Sequence, residues 1–399
     1  DLHTRRRRQR QMCIRDRLGV NIDIKASTSR KEALEGATFC IISIEVGKRF
    51  DLWDQDWKIP LQYGIRQVYG ENGGPGGLFH SLRQIPPIIE ICEDINLICP
   101  DAVVFNFSNP MQRICHAVTT KFPDLRFIGL CHEIKSMNRQ LPDLMETEMH
   151  NIEYRAAGLN HLSILLEARY KNTGKDGYPI IKQNFDAYFS DLVNKHDAKP
   201  SKPGAERGVF RKLFKTYGYL PITTDSHLGE YIQWAYSVAD HDAILDFYDN
   251  YKEKCLAFYD NKTSYDHYFD LKNLDTHERV VPIIEGILSD SAYEEPAINI
   301  PNNGYIECLP KDIVVEVPGI INKSGISGIS FKNYPAAFGS LLNSQSGVIQ
   351  MTTDAVLNAS KHSAYLALLA DPVVNDSYQA EKLLNNMLET QGKFLYYLK

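Results

Sequence analysis

No apolar run in this chain approaches the roughly 18 residues that a membrane-spanning helix needs, so no transmembrane segment is expected. Basic residues are not in excess. Lys and Arg number 44 against 50 Asp and Glu, a net charge of −6, which is the wrong sign for a general nucleic-acid binder. The 8 cysteines include no C-x-x-C pair, which removes the usual zinc and dithiol-redox patterns. They are scattered, several in apolar stretches, and read as reduced thiols of a cytoplasmic protein rather than as a disulfide framework. Glycine does not occur before Gly19, no G-x-G-x-x-G follows a strand, and no Walker Lys-Ser/Thr ending is found. The standard nucleotide fingerprints are therefore absent, and so is any internal repeat.

What is present is an ordinary composition for a large soluble enzyme. The 399 residues are 43% hydrophobic and 24% charged, enough for a sizeable core and two lobes. Apolar, β-branched runs at 38–47, 101–110 and 125–133 read as buried parallel strands. Helical patterns at 77–98 and 111–121 separate them. Such alternation predicts a doubly wound, Rossmann-like sheet, with ligands at the carboxyl ends of the strands. Glu45, Val46 and Gly47, then Asn106 and Asn109, then Cys131 and His132 should thus converge on one crevice. Before these, "VNIDIKAST" alternates like a strand, and "SRKEALEGA" reads as a short helix capped by Ser29 and stopped at Gly36.

From about Asn151 the pattern becomes α+β. Paired strands are expected to meet at Asn160-His161, and antiparallel strands are expected within "AINIPNNGYIECLPKDIVVEVPGII". Helices are expected at about 345–370 and 377–389. The domain division read from this is a leader at 1–17, a partial dinucleotide-binding domain at 18–150 and a substrate and metal domain at 151–399. The leader, "RRRRQRQMCIRDR" over 5–17, has no apolar period and is neither Ser-rich nor amphipathic. It reads as a non-native extension on a chain that has lost its true start.

Four polar motifs interrupt this frame. "GLCHE" and "GLNH" place Cys131 and His161 after apolar runs, and a thiolate with an imidazole suits a divalent transition metal. Each alone is more often a core thiol or a structural histidine, and what points to a metal is their placement at two polar interruptions after apolar runs. "SNPM" puts Pro110 at a first helical position and Asn109 near the N-cap, which reads either as capping or as amide contacts to a ligand. "YGENGGPGGLFHSLR" opens a helix whose free backbone N–H groups would suit an anion or a polyhydroxylated ligand. "TTDSHLGEY" gathers Asp225, His227, Glu230 and Tyr231. In a helix, His227 and Tyr231 would share a face at i, i+4.

In this order, with "YGENGGPGGLFHSLRQIP", "NFSNPM", "GLCHE", "GLNH" and "TTDSHLGEY", the chain resembles the family 4 glycoside hydrolases from about Leu18 to its end. The resemblance implies a dehydrogenase-like fold and a requirement for NAD and manganese. It also implies a glycosidase that departs from the two-carboxylate scheme: oxidation at C3 of the sugar, removal of the C2 proton, elimination at C1, addition of water and return of hydride. It matches Cys131 and His161 to the metal ligands and His132 to an acid or substrate contact. Asn109 matches a cofactor and substrate contact, with Asn106 and Val46 beside the cofactor, and Asn160 a substrate contact. Asp225 is the first choice for the C2 base and Tyr231 the second; Arg83 and Glu133 are expected at the substrate.

The Cys-His-Glu sequence resembles that of α-galacturonidases, and the expected substrate is an α-galacturonide, with an α-galactoside, α-glucoside or α-glucuronide as alternatives. A sugar carboxylate would need a cation, for which Arg66, Arg83 and Lys135 are candidates. A homo-oligomer, dimer or tetramer, is expected. The strand, glycine-rich loop, helix and second strand with which the family begins are not found, which leaves an inactive truncated chain as one rival reading; the other, a 2-hydroxy-acid dehydrogenase on the same scaffold, has the Cys131/His161 pair and the α-rich second half against it.

Overall fold

The computed structural model describes Asp23 and residues 25–195, 207–259 and 278–399. The Arg-rich leader and residues 20–22 and 24 of the alternating stretch at 20–28 lie outside these residues. Of that stretch, Asp23 and residues 25–28 are irregular rather than extended. The short helix after it is present, Arg30–Leu34, with the Ser29 hydroxyl accepting from the Glu32 amide at 3.3 Å. Gly36 follows at φ 73°, where a residue without Cβ is favoured.

Eight strands form one sheet: β1 (Phe39–Ile42), β2 (Val103–Asn106), β3 (Arg126–Gly129), β4 (Ile152–Leu159), β5 (Leu162–Tyr170), β6 (Tyr293–Pro301), β7 (Val314–Asn322) and β8 (Gly325–Gly328). The order is β1-β2-β3-β6-β7-β4-β5, with β8 paired to β7. The first three are parallel, with Ile42 opposite Asn106 and Asn106 opposite Gly129. From β6 onward every pairing is antiparallel, and the Gly129–Asn299 pair joins the two patterns into a continuous surface. Among the described residues β1 is a sheet edge, and Ile41 on it is 55% exposed.

Alternation along the parallel strands explains why they are apolar on both faces. Val103 and Phe105 enter one hydrophobic core with β4, β5 and the helices that follow them. Cys40, Ile42 and Val104 enter a second core with helices Gly74–Ile98, Met111–Lys121 and the C-terminal helices. The elements themselves are shorter than the apolar runs. The run at 38–47 yields a strand of only four residues, because the chain turns out of the sheet at the crevice. The expected helix at 345–370 is two helices, Ala336–Leu357 and Lys361–Ala370, broken where Ala359 takes φ 51° and Ser360 caps the second. Among the described residues no helix is long and apolar enough to cross a membrane, and the described cysteines are unbridged.

Candidate active site

A cavity of about 560 Å³ opens at the carboxyl ends of the parallel strands. Each strand ends in a residue that turns toward it. Ser43 follows β1; Phe107, Asn109 and Met111 follow β2; Leu130, Cys131, His132 and Glu133 follow β3. The two-residue turn between β4 and β5 adds His161, held at φ 64°. The short helix Asp225–Leu228 adds His227, and helix Arg49–Gln62 adds Arg49 and Trp53. Tyr69 and Glu71 come from the glycine-rich loop, Tyr251 and Phe247 from helix His241–Tyr259, and Glu278 from before helix Val280–Ser289.

Cys131 and His161 meet here, Sγ to Nε2 at 3.5 Å. A thiolate about 2.3 Å and an imidazole about 2.1 Å from one tetrahedral ion would lie roughly 3.6 Å apart, so the pair fits a shared divalent metal. Burial, with His227 and His132 nearby, pushes the His161 imidazole well below its usual range and keeps it neutral, as a ligand must be. Among the described residues its Nδ1 has no hydrogen-bond partner. Desolvation and the carboxylates Glu316 and Glu133 push the Cys131 thiol well up. Among the described residues no group of three or more His, Cys, Asp or Glu side chains is arranged to hold a metal. The His161 and His227 rings stack, centroids 4.1 Å apart. His132 and His227 each place Nε2 3.8 Å from Glu133 Oε1, and His132 Nδ1 lies 3.3 Å from Glu278. The carboxylate of Glu278 raises the His132 pKa.

The remaining sequence candidates divide. Asn109 lines the cavity and donates to Glu71 Oε1 at 3.4 Å. It does not cap helix Met111–Lys121: Pro110, after a cis peptide bond, occupies that position. Asn106 is buried and closes the turn after β2, donating to the Ser108 carbonyl at 2.9 Å. Val46 donates its amide to Gln84 Oε1 at 2.8 Å and is not among the cavity-lining residues. Asn160 is also absent from the lining. Its amide donates to Glu316 Oε2 at 2.8 Å, and Ser163 and Asn299 complete that buried carboxylate's shell. Asn160 therefore braces the turn that carries His161. Arg83 is buried in a two-pronged pair with Asp56, at 2.9 and 2.6 Å, away from the cavity. Arg66 is exposed beside the Tyr236 ring, and Lys135 lines a different cavity with Arg279 and Glu295.

Asp225 is fully buried, and its carboxylate is already used. Oδ1 accepts from the Phe210 amide at 3.0 Å and Oδ2 from the Asp240 amide at 3.1 Å. These are the first turn of helix Gly208–Tyr217 and the residue before helix His241–Tyr259, so Asp225 ties two helix starts together. Tyr231 does not share a face with His227. The helix ends at Leu228 and continues as a 3₁₀ turn over Gly229–Tyr231, where the tighter winding changes the phase. Tyr231 is buried off the cavity, and desolvation with Glu230 pushes its phenol well up.

The glycine-rich loop is also not the open anion cradle that its composition suggests. Its Glu71 and Asn72 amides are occupied by the buried Glu230 carboxylate. Sequence reasoning gave no role to Arg49, Glu71, His227 or Glu278. Glu71 and His227 lay within quoted motifs, whereas Arg49 and Glu278 carried no local signal.

Comparison with known proteins agrees with this geometry. The model of the family 4 glycosyl hydrolases matches residues 3–147, and that of the family's C-terminal domain matches residues 156–374. An α-glucosidase of Erwinia rhapontici is 46% identical over 94% of this chain and 86% of that protein. An α-galacturonidase of Thermoanaerobacterium saccharolyticum is 31% identical over 93% of this chain and 83% of that protein. In fold, a 6-phospho-α-glucosidase from gut microorganisms, solved with NAD and Mn²⁺, superposes with a TM-score of 0.75 at 21% identity, over 92% of this chain and 84% of that one. With family models matching both halves and curated relatives 46% and 31% identical over nearly all of its length, the chain belongs to the family 4 glycosyl hydrolases.

Proposed function

We propose that this glycosidase acts on uncharged α-glucosides, with NAD and manganese as cofactors. The observation that carries the substrate class is the charge of the cavity. Among the described residues its lining holds three carboxylates, Glu71, Glu133 and Glu278, against one guanidinium, Arg49. Arg49 is itself engaged, 3.2 Å from Glu71 and 3.8 Å from Glu45. None of the three cations expected to receive a uronic acid, Arg66, Arg83 and Lys135, lines it. A further carboxylate would add to that excess of negative side chains. A galacturonide or a sugar phosphate is disfavoured on that ground, and the similarity to the Erwinia α-glucosidase points the same way.

Cys131 and His161 would hold the metal at the cavity wall. Bound there, NAD and the metal would supply reversible hydride acceptance and polarisation of sugar hydroxyls. Asn109, at the end of β2, would contact both cofactor and sugar. His132 is half exposed at the cavity and has a pKa raised by Glu278, which suits delivery of a proton to the leaving-group oxygen. Proton removal falls to a cavity-lining group such as Glu71, Glu133 or His227 rather than to Asp225 or Tyr231.

The test is turnover of p-nitrophenyl α-glucoside, α-galactoside, α-galacturonide and 6-phospho-α-glucoside with added NAD and Mn²⁺. The glucoside should lead the charged substrates by at least about tenfold in kcat/KM. A galacturonide or phosphate preference would overturn the assignment.

A further inference from the structure

Glu71 and Glu230 are far apart in sequence and joined in the structure by a carboxylate-to-backbone clamp. Glu230 is fully buried. Its Oε1 accepts from the Glu71 amide, and the Asn72 amide lies 3.0 and 3.1 Å from its two oxygens. The backbone of Gly73 lies against the same side chain: a Cβ there would stand 2.7 Å from Glu230 Cβ and 2.8 Å from its carbonyl oxygen. The loop is tightened further from behind. Gln67 donates to the Asp56 and Trp57 carbonyls at 2.6 and 3.0 Å and accepts from the Gly76 amide at 3.0 Å. The Glu71 carbonyl faces His80 Nδ1 at 2.7 Å. The backbone on both sides of Glu71 is thus fixed, while its side chain stays at the cavity against Arg49 and Asn109.

A buried carboxylate held by backbone N–H groups is a costly device unless the segment it orders is needed in one place. Here the ordered segment is the one that brings a carboxylate to the sugar cavity. We propose that Glu230 is a positioning residue: by gripping the amides at 71 and 72 it sets Glu71, which fixes the substrate through a sugar hydroxyl. The inference rests on the cavity being the sugar site, as proposed above. Arg49 and Asn109 hold one Glu71 oxygen, and the sugar contact adds to theirs.

A double-mutant cycle separates this role from simple structural support. Glu230→Gln keeps the volume but removes the negative charge and replaces one acceptor oxygen by an N–H donor, which meets the Asn72 amide whichever way the side chain turns, so the loop should shift. On the best α-glycoside of the wild-type enzyme, Glu230→Gln and Glu71→Gln should each lower kcat/KM by at least about tenfold, mostly through KM. In the Glu71→Gln background, Glu230→Gln should cost less than about twofold more, because the contact it positions is already gone. If Glu230→Gln is insoluble, Glu230→Asp, which keeps the charge but shortens the reach, enters the same cycle. Equal losses in both backgrounds, or full activity in Glu71→Gln, would overturn the proposal. A wild-type preference for another α-glycoside would overturn the α-glucoside assignment alone, since the cycle is run on whichever substrate is best.

Discussion

At the scale of single residues, the site separates groups that face the cavity from groups that brace it. Cys131 and His161 face it and touch. Cys131→Ser and His161→Ala should each remove Mn²⁺-dependent activity, and equilibrium dialysis should show at least about tenfold weaker Mn²⁺ retention, with an unchanged circular dichroism spectrum. Wild-type retention by either variant would separate that residue from the metal. Asp225 braces. Asp225→Asn leaves one acceptor for two helix-start amides, and should lower stability by about 1–3 kcal/mol in urea melts. At a temperature where the variant is folded, its kcat should stay within about threefold of wild type. A loss of 1,000-fold or more would return Asp225 to the role of base.

At the scale of elements, glycines that look alike in sequence do different things. Gly77, at the start of helix Gly74–Ile98, would place a Cβ 2.4 Å from the Asn72 backbone. Gly77→Ala should displace the loop that carries Glu71, lowering both stability and kcat/KM. Gly347, inside helix Ala336–Leu357, is exposed and has nothing within 4 Å of its virtual Cβ. Gly347→Ala should stabilise the protein by about 0.5–1 kcal/mol, from the lower backbone entropy of the unfolded chain, with unchanged kinetics. Thermal melts and the α-glucoside assay on the pair check both. The helix boundaries follow the same logic. Ser29, Gly36 and the start of helix Met111–Lys121 were readable because caps and stops act over a few residues. The break at 358–360 was not, since no proline or glycine marks it and the tertiary packing of both helices decides it.

At the scale of the whole molecule, the C-terminal helices are tied to the parallel-sheet half by a buried ion pair. Arg113, in helix Met111–Lys121, lies 3.9 Å from Asp371, which follows helix Lys361–Ala370, and both are fully buried. Burial raises the Asp371 pKa from 3.8 to about 6, against the pull of Arg113 and the Val373 amide. The folded state therefore holds this proton more tightly than the unfolded state. The stabilising contribution is complete below about pH 4 and is lost as pH rises through about 6. A shift of about two units corresponds to about 3 kcal/mol. The destabilisation caused by Asp371→Asn should accordingly shrink by up to about that amount between pH 4 and pH 7, measured by urea unfolding of both proteins. A difference that grows with pH would reverse the sign assigned to the pair.

The sequence by itself determined the alternating strands and helices of the first half and the β4–β5 turn at Asn160-His161, which depend on local periodicity. That Cys131 and His161 belong together came from the resemblance of their motifs to a known family, since the rule that doubly wound sheets gather strand ends does not reach an antiparallel turn. The sequence also determined which motifs matter, but not what each residue in them does. Only the tertiary structure decided that Asp225 caps neighbouring helices, that Arg83 is consumed by Asp56, that Asn160 faces Glu316, and that Glu230 grips the glycine-rich loop. The reason is that a polar side chain in a buried setting must find a partner, and the nearest partner is set by the packing of elements far apart in the chain. The cavity's excess of carboxylates is of the same kind: Arg49, Glu71, Glu133 and Glu278 come from four separate segments, and their balance exists only once those segments are brought together.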